Sequence, residues 1–331
     1  MNSFLLSELP KKFSNSNFLL IVGIGFDERS LSVLKAFSNN SQLQVVGLLN
    51  PTRPEIGPSP FIDQFHKLSG SSSTLLGEGC ESIVGTIDAL QSFLLQDTLS
   101  GVDILLDITS LSHELLVAMV GLLASERIIN RVTLAYTSAE EYSYNTTKDQ
   151  QWLSRGVTDI RSVLGFPGLM LPSRKSHLII MAGFEAERAA EVISRYEPAA
   201  LTIAYGGKDQ SVSEQHHHSN KQYAEEIRHL LSENSFTTEE PATFEFSCID
   251  PFKTCEYICQ YISELKGENV VICPLNTKIS TVGAALAGLR FPWLQICYAQ
   301  PSEYNLHGYA KPSDSVRLIP FSGHNLVIGE L

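Results

Sequence analysis

Hydrophobic residues in this chain fall into short, nearly unbroken runs, and amphipathic stretches separate one run from the next. The run FLLIVGIGF (18–26) leads into DERSLSVLKAF, and the run HLIIMAGF (177–184) leads into EAERAAEVISRY. Each predicts a buried strand that ends in Gly-Phe and passes into a helix whose first turn holds acids and an Arg. Acids at a helix start complement its dipole, so the junction has a local logic.

The two stretches stay in step further along. LQVVGLLN (43–50) matches ALTIAYGG (200–207) as a second strand. FIDQFHKL (61–68) and SNKQYAEEIRHLLSEN (219–234) follow as helices, then TLLGEG (74–79) and TFEFSCID (243–250) as third strands. SIVGTIDALQSFLLQ (82–96) and TCEYICQYISELK (254–266) are both apolar at helical spacing. VDILLDIT (102–109) pairs with NVVICPLN (269–276), each followed by a helix of small and apolar residues. The fifth strands, RVTLAYTSAEEY (131–142) and LQICYAQPSEY (294–304), both end in Glu-Tyr.

Strands that are apolar throughout and alternate with helices imply parallel sheets covered on both faces. The expected fold is therefore α/β, with two tandem Rossmann-like units built on parallel sheets and related by internal duplication. Residues 1–150 form the first unit and 177–331 the second. Segment 151–176 is expected to link them and add an edge strand. SVRLIPF, within the tail 308–331, is expected to play the equivalent role in the second unit.

Composition narrows the partners. A formal net charge of −12 argues against a protein that grips duplex nucleic acid, which needs clustered Lys and Arg. No apolar run is long enough to span a bilayer and the N-terminus lacks a secretory signal pattern, so a cytoplasmic protein without a membrane partner is expected. Six cysteines without a CxxC pair fit free thiols in a reducing compartment.

In open parallel sheets, ligands bind beyond the strand carboxyl ends, near the point where strand order reverses. Gly25, Phe26, Asp27, Glu28 and Arg29 fall there in the first unit, and Gly183, Phe184, Glu185 and Arg188 in the second. A helix start with an Arg suits a phosphate or ribose, and the acid suits a sugar hydroxyl. The competing expectation is structural: the Arg pairs with the neighbouring acids and the Gly makes the turn. Thr109 and Ser110, with Asn276 and Thr277 opposite, can cap the next helix or, with Lys278, surround an anion. A Lys in a helix first turn opposes the dipole, and a bound negative charge explains it better. Asp27 and Asp107 are the candidate acid/base groups. Asp107 has no acidic counterpart in the second half, so if one site catalyses, the halves are not expected to be equivalent.

His216, His217 and His218 are expected in a solvated polar loop, since three adjacent histidines do not converge on one metal from a regular element. No GxGxxG, Walker lysine loop, GxSxG or HExxH occurs, and no motif calls for a metal or a cofactor.

A strand that ends in Asn or Asp, followed by Thr and then a small residue or Lys at a helix start, resembles the CARF family of Rossmann-like sensor domains. Asn276-Thr277-Lys278 carries the likeness, and so does Asp107-Ile108-Thr109-Ser110 with the two strand-one junctions. The SAVED domain, which looks like two CARF-like units in one chain, is similar as well. The resemblance implies binding of a cyclic oligonucleotide or other nucleotide-like small molecule in a prokaryotic antiviral or stress system. It also implies a separately encoded effector protein as partner, or degradation of the signal by the chain itself. Three readings are thus open: a nucleotide-like ligand sensor or regulatory subunit, an enzyme acting on a nucleotide or phosphoribosyl compound, and a protein-interaction scaffold without a ligand.

Overall fold

Runs such as Phe18–Ile24 leave no side chain for water, and the strand they form is buried on both faces. The computed structural model describes all residues except 1–2, 15, 39, 41–42, 53–56, 71–72, 143–152, 235–239, 307–308, 325, 327 and 330–331. In chain order the elements are β1 (Ser3–Leu5), α1 (Leu9–Lys12), β2 (Phe18–Ile24), α2 (Ser32–Ala36), β3 (Gln44–Leu49), α3 (Ile62–Ser69), β4 (Thr74–Leu76), α4 (Ile83–Leu94), β5 (Asp103–Asp107), α5 (His113–Ser125) and β6 (Val132–Tyr142). There follow β7 (Ser154–Arg155), β8 (Asp159–Pro167), β9 (Ser176–Met181), α6 (Ala186–Tyr196), β10 (Ala200–Gly206), α7 (Glu214–Asn234), β11 (Ala242–Phe246) and α8 (Pro251–Ile262). The last are β12 (Asn269–Pro274), α9 (Lys278–Arg290), β13 (Gln295–Gln300), β14 (Glu303–Tyr304) and β15 (Ala310–Pro320).

The strands form a sheet of order β1-β15-β6-β5-β2-β3-β4 and another of order β11-β10-β9-β12-β13-β8. Within each, the five core strands run parallel in the same order: third, second, first, fourth, fifth. Order reverses between first and fourth strands, so the ligand-side switch point lies beyond β2 and β5 in one unit and beyond β9 and β12 in the other. The fold class is α/β with two Rossmann-like units.

The edges add antiparallel strands to the parallel cores. β15 pairs antiparallel with β6, with Val316 opposite Thr137, and β1 pairs antiparallel with β15. β8 pairs antiparallel with β13, with Ile160 opposite Ala299. The expected boundaries change with them. The chain divides into Met1–Gln151 with Asn305–Asn325, and Trp152–Tyr304 with Leu326–Leu331. Residues 151–176 are therefore more than a linker, because β7 and β8 belong to the second unit. SVRLIPF, expected in the second unit, completes the first. Each tract follows one five-strand core and closes the other. Arg317 faces Tyr136 and Arg161 faces Tyr298 in equivalent registers, so the two acceptor edges are alike and residue pattern alone does not choose between them.

Two helices also depart from expectation. The segment after β2 stays in turns through Leu31, so Arg29 precedes the short α2 and does not sit in a helical first turn. α7 begins at Glu214 and takes in His216–His218, placing them on a helix and not in a loop. The missed signal is Ser213, whose hydroxyl accepts from the His216 amide at 3.1 Å as an N-cap. α5 and α9, which occupy the same slot in the two units, are buried nearly all round; residues Ile279 to Gly288 are buried without a break. A Cβ at Gly283 would lie 2.7 Å from the Pro251 carbonyl, so glycine there lets α8 lie against α9.

Strand exchange predicts that damage at the C-terminus is felt in the first unit. Ile319 is fully buried on β15, and Ile319→Ala should cost roughly 2–5 kcal/mol. Hydrogen exchange should then accelerate in residues 132–137 of β6 and remain unchanged in 269–274 of β12. Faster exchange in β12 instead would refute the assignment.

Candidate functional site

The two Gly-Phe junctions build the same internal bracket. In the first unit, Arg29 donates from Nε to both carboxylate oxygens of Asp27 at 3.1 Å and from Nη2 to Oδ2 at 2.6 Å. Its Nη1 donates to the Thr137 carbonyl at 3.1 Å, midway along β6 and just past its parallel pairing with β5. The guanidinium lies 5.7 and 5.5 Å from the ring centres of Tyr136 and Tyr142, whose hydroxyls are 3.0 Å apart. In the second unit, Arg188 donates to Glu185 at 2.6 Å, to the Ser154 hydroxyl at 3.1 Å and to the Ala299 carbonyl. Tyr298 lies 5.9 Å below it, and the Tyr298 and Tyr304 hydroxyls are 3.4 Å apart.

Thr137 and Ala299 each follow the first tyrosine of a pair six residues apart, so the duplication reaches single hydrogen bonds. Arg29 and Arg188 are only 3% and 4% exposed. Arg29 directs its donors at a carboxylate and a carbonyl of its own unit, as the structural expectation had it. Arg188 does the same with its terminal nitrogens, which also reach the Ser154 hydroxyl, and its Nε has no hydrogen-bond partner in the protein. Their reach to a ligand is correspondingly small.

At the switch point of the first unit, loops after β2 and β5 touch. A Cβ at Gly25 would lie 2.7 Å from the Ser110 carbonyl, which explains the glycine. Around it stand hydroxyls: Ser30 Oγ is 2.8 Å from Ser110 Oγ, and Ser59 donates to the Gly25 carbonyl at 2.5 Å. Asn50 clamps the loop, donating to the Ser110 carbonyl at 2.8 Å and accepting from the Ser112 amide at 2.6 Å. Phe26 packs edge-on against Tyr309, 5.2 Å between centres.

Asp107 ends β5 fully buried. Its Oδ1 accepts from the Thr109 amide at 3.0 Å and hydroxyl at 2.5 Å, and its Oδ2 has no hydrogen-bond partner in the protein. Thr109 in turn accepts from the Thr137 amide at 3.0 Å. Burial pushes the Asp107 carboxyl up to about 7, against the opposing pull of the Thr109 hydrogen bonds and the Arg29 charge. Strand register places Asp107 beside Val22 and Cys273 beside Ile180, each three residues before the junction glycine. The counterpart of Asp107 is thus Cys273, a thiol in the same slot.

The second switch point is built from amides. Asn276 Nδ2 donates to the Ala182 carbonyl and to Asn220 Oδ1, each at 2.5 Å, and its Oδ1 accepts from the Thr277 amide at 2.7 Å. Cys248 Sγ lies 3.2 Å from Asn276 Oδ1. Thr277 caps α9 by accepting from the Ser280 amide at 3.2 Å, and Lys278 is the first helical residue. A Cβ at Gly183 would collide with the Leu275 carbonyl, repeating the close contact at Gly25.

Asn220 comes from α7, where His216 lies one turn earlier on the same buried face. Phe184 packs edge-on against His216 at 5.5 Å and against Tyr223 at 5.7 Å. Neither His216 ring nitrogen nor Asn220 Nδ2 has a hydrogen-bond partner in the protein. Burial, with His217 adding to it, holds the His216 imidazole down at about 4, so the ring is neutral at ordinary pH.

The structure therefore gathers Gly183, Phe184, Asn276, Thr277 and Lys278 around one strand-end region, and Gly25, Thr109 and Ser110 around its counterpart. It uses Asp27, Arg29, Glu185 and Arg188 in the two brackets. The sequence reading set His216 in a solvated loop and did not place Asn50, Ser59, Asn220 or Cys248 at the strand ends. The helical spacing of His216 and Asn220 was the one signal that could have joined two of these. Among the described residues no three His, Cys, Asp or Glu side chains gather as a metal site would require, and no helix is long and apolar enough to cross a membrane. The chain matches no protein-family model and no curated protein.

Asp107 makes stability depend on pH. A carboxyl raised to about 7 in the fold, from 3.8 in the open chain, binds protons more tightly when folded. Its contribution is complete below about pH 4 and is lost as pH rises through 7, on the order of a few kcal/mol. Asp107→Asn should flatten that fall between pH 5 and 8 in urea titrations. An unchanged slope would contradict the assignment.

Proposed function

We propose that this chain is a nucleotide-like ligand sensor or regulatory subunit, with its principal site at the strand carboxyl ends of the second unit. One observation carries the reading: at the strand carboxyl ends, buried polar atoms have no hydrogen-bond partner in the protein. They are Asp107 Oδ2 in the first unit, and His216 Nδ1 and Nε2 with Asn220 Nδ2 in the second. A fold that needed only stability would place apolar groups there, since a buried polar group without a partner costs roughly 1–3 kcal/mol. The second unit adds Lys278 at the start of a capped helix, where helix amides and a cation favour an anion.

The setting in prokaryotic defence or stress signalling rests on the resemblance of Asn276-Thr277-Lys278 to the CARF and SAVED sensors. So does a separately encoded effector as partner. An enzyme acting on a nucleotide or phosphoribosyl compound is the second reading, and Asp107 favours it. A carboxyl near neutral pH with one oxygen uncommitted is suited to proton transfer, provided a substrate reaches it.

Calorimetric titration of the full chain with mono- and dinucleotides and with cyclic oligonucleotides separates these readings. The sensor reading predicts binding by at least one class, with affinity at least tenfold weaker in Lys278→Glu and the bound nucleotide recovered intact. Turnover lost in Asp107→Asn would favour the enzyme. Folded protein that binds none of the panel overturns both.

A further inference from the structure

The inward stripe of α7 changes character along its length. Ala224, Ile227 and Leu231 are buried in the core of the second unit, yet the same face continues N-terminally as Asn220 and His216, also buried. A purely structural helix would carry the apolar pattern through those two turns. Both side chains instead bring unmatched hydrogen-bonding groups: His216 Nδ1 and Nε2, and Asn220 Nδ2.

The chemistry of these groups is specific. Asn220 Oδ1 already accepts from Asn276, so what Asn220 has left to offer is donors. A neutral imidazole offers one donor and one acceptor. The two ring nitrogens point away from each other across Cε1, so one ligand edge meets only one of them, as donor or as acceptor according to the tautomer. A neutral nitrogen heterocycle, with acceptors for the Asn220 amide and donors beside them, suits either tautomer. Phe184, edge-on to His216, adds an aromatic wall.

We propose that His216 and Asn220, with Phe184, form a nucleobase subsite, a refinement that rests on the ligand-sensing reading above. The hydrogen-bond chain from Asn220 through Asn276 to the Thr277 amide then links the base to the start of α9. A nucleotide would lie with its base at α7 and its anionic end at Thr277 and Lys278. Recognition of the base edge, not of phosphate, would set which ligand is accepted.

The test uses the full chain, with adenosine, guanosine, cytidine and uridine and their 5′-monophosphates as probes and inorganic phosphate as control. The subsite predicts that at least one nucleoside binds without its phosphate. It also predicts that His216→Leu and Asn220→Ala each weaken that nucleoside and its nucleotide at least tenfold. Lys278→Glu should weaken the nucleotide and spare the nucleoside. Melting of His216→Leu should be unchanged or higher, because an unmatched buried group has been removed. Nucleotides that bind both α7 variants at wild-type strength would overturn the subsite and leave the sensor reading standing. A lower melting temperature in His216→Leu with binding intact would make His216 structural. Absence of binding by every probe overturns the subsite, and absence with cyclic oligonucleotides too removes the sensor reading with it.

Discussion

A guanidinium shut away from water dominates the design of each unit. Arg29 and Arg188 must be matched by carboxylate and carbonyl oxygens, because removing one partner of a buried pair typically costs about 3–5 kcal/mol. That requirement fixes the turn after the first strand against the fifth. With the outer strand pinned to the central one, the loops of the first and fourth strands are held where two glycines let them meet, at Gly25 and Gly183. The rest of the ligand-side edge is arranged on this frame.

Much of the fold was legible because its causes are local. Uninterrupted apolar runs such as LLIV and LIIM require strands buried on both faces, and their alternation with helices leads to parallel sheets. The repeat was visible in Gly-Phe followed by an acid, and in the tyrosines six residues apart. What stayed hidden was non-local. Nothing in SVRLIPF or DIRSVLGFP says which of two similar edges each will close. The helical status of the three histidines turned on a single capping hydroxyl, Ser213, inside a stretch whose polarity suggested a loop.

The strand-end positions of the candidate glycines, hydroxyls and amides were legible from the sheet topology. For the two arginines the sequence left two readings open, an anion anchor or a pair with neighbouring acids, because their surroundings include tyrosines more than a hundred positions away. Asn220 and His216 are conspicuous only once α7 is known to turn that face inward. The halves have kept the bracket and diverged beside it: a titratable Asp107 in one where Cys273 stands in the other, hydroxyls around Gly25 where amides surround Gly183.

The central claim is that the carboxyl edge of the second unit receives the ligand. Hydrogen exchange on the full chain, with and without a saturating nucleotide, addresses it directly. Slower exchange is expected in residues 216–220 and 276–281, with no change at the opposite edge in 176–178 and 268–270. Slowing confined to that opposite edge, or none anywhere, would contradict the account.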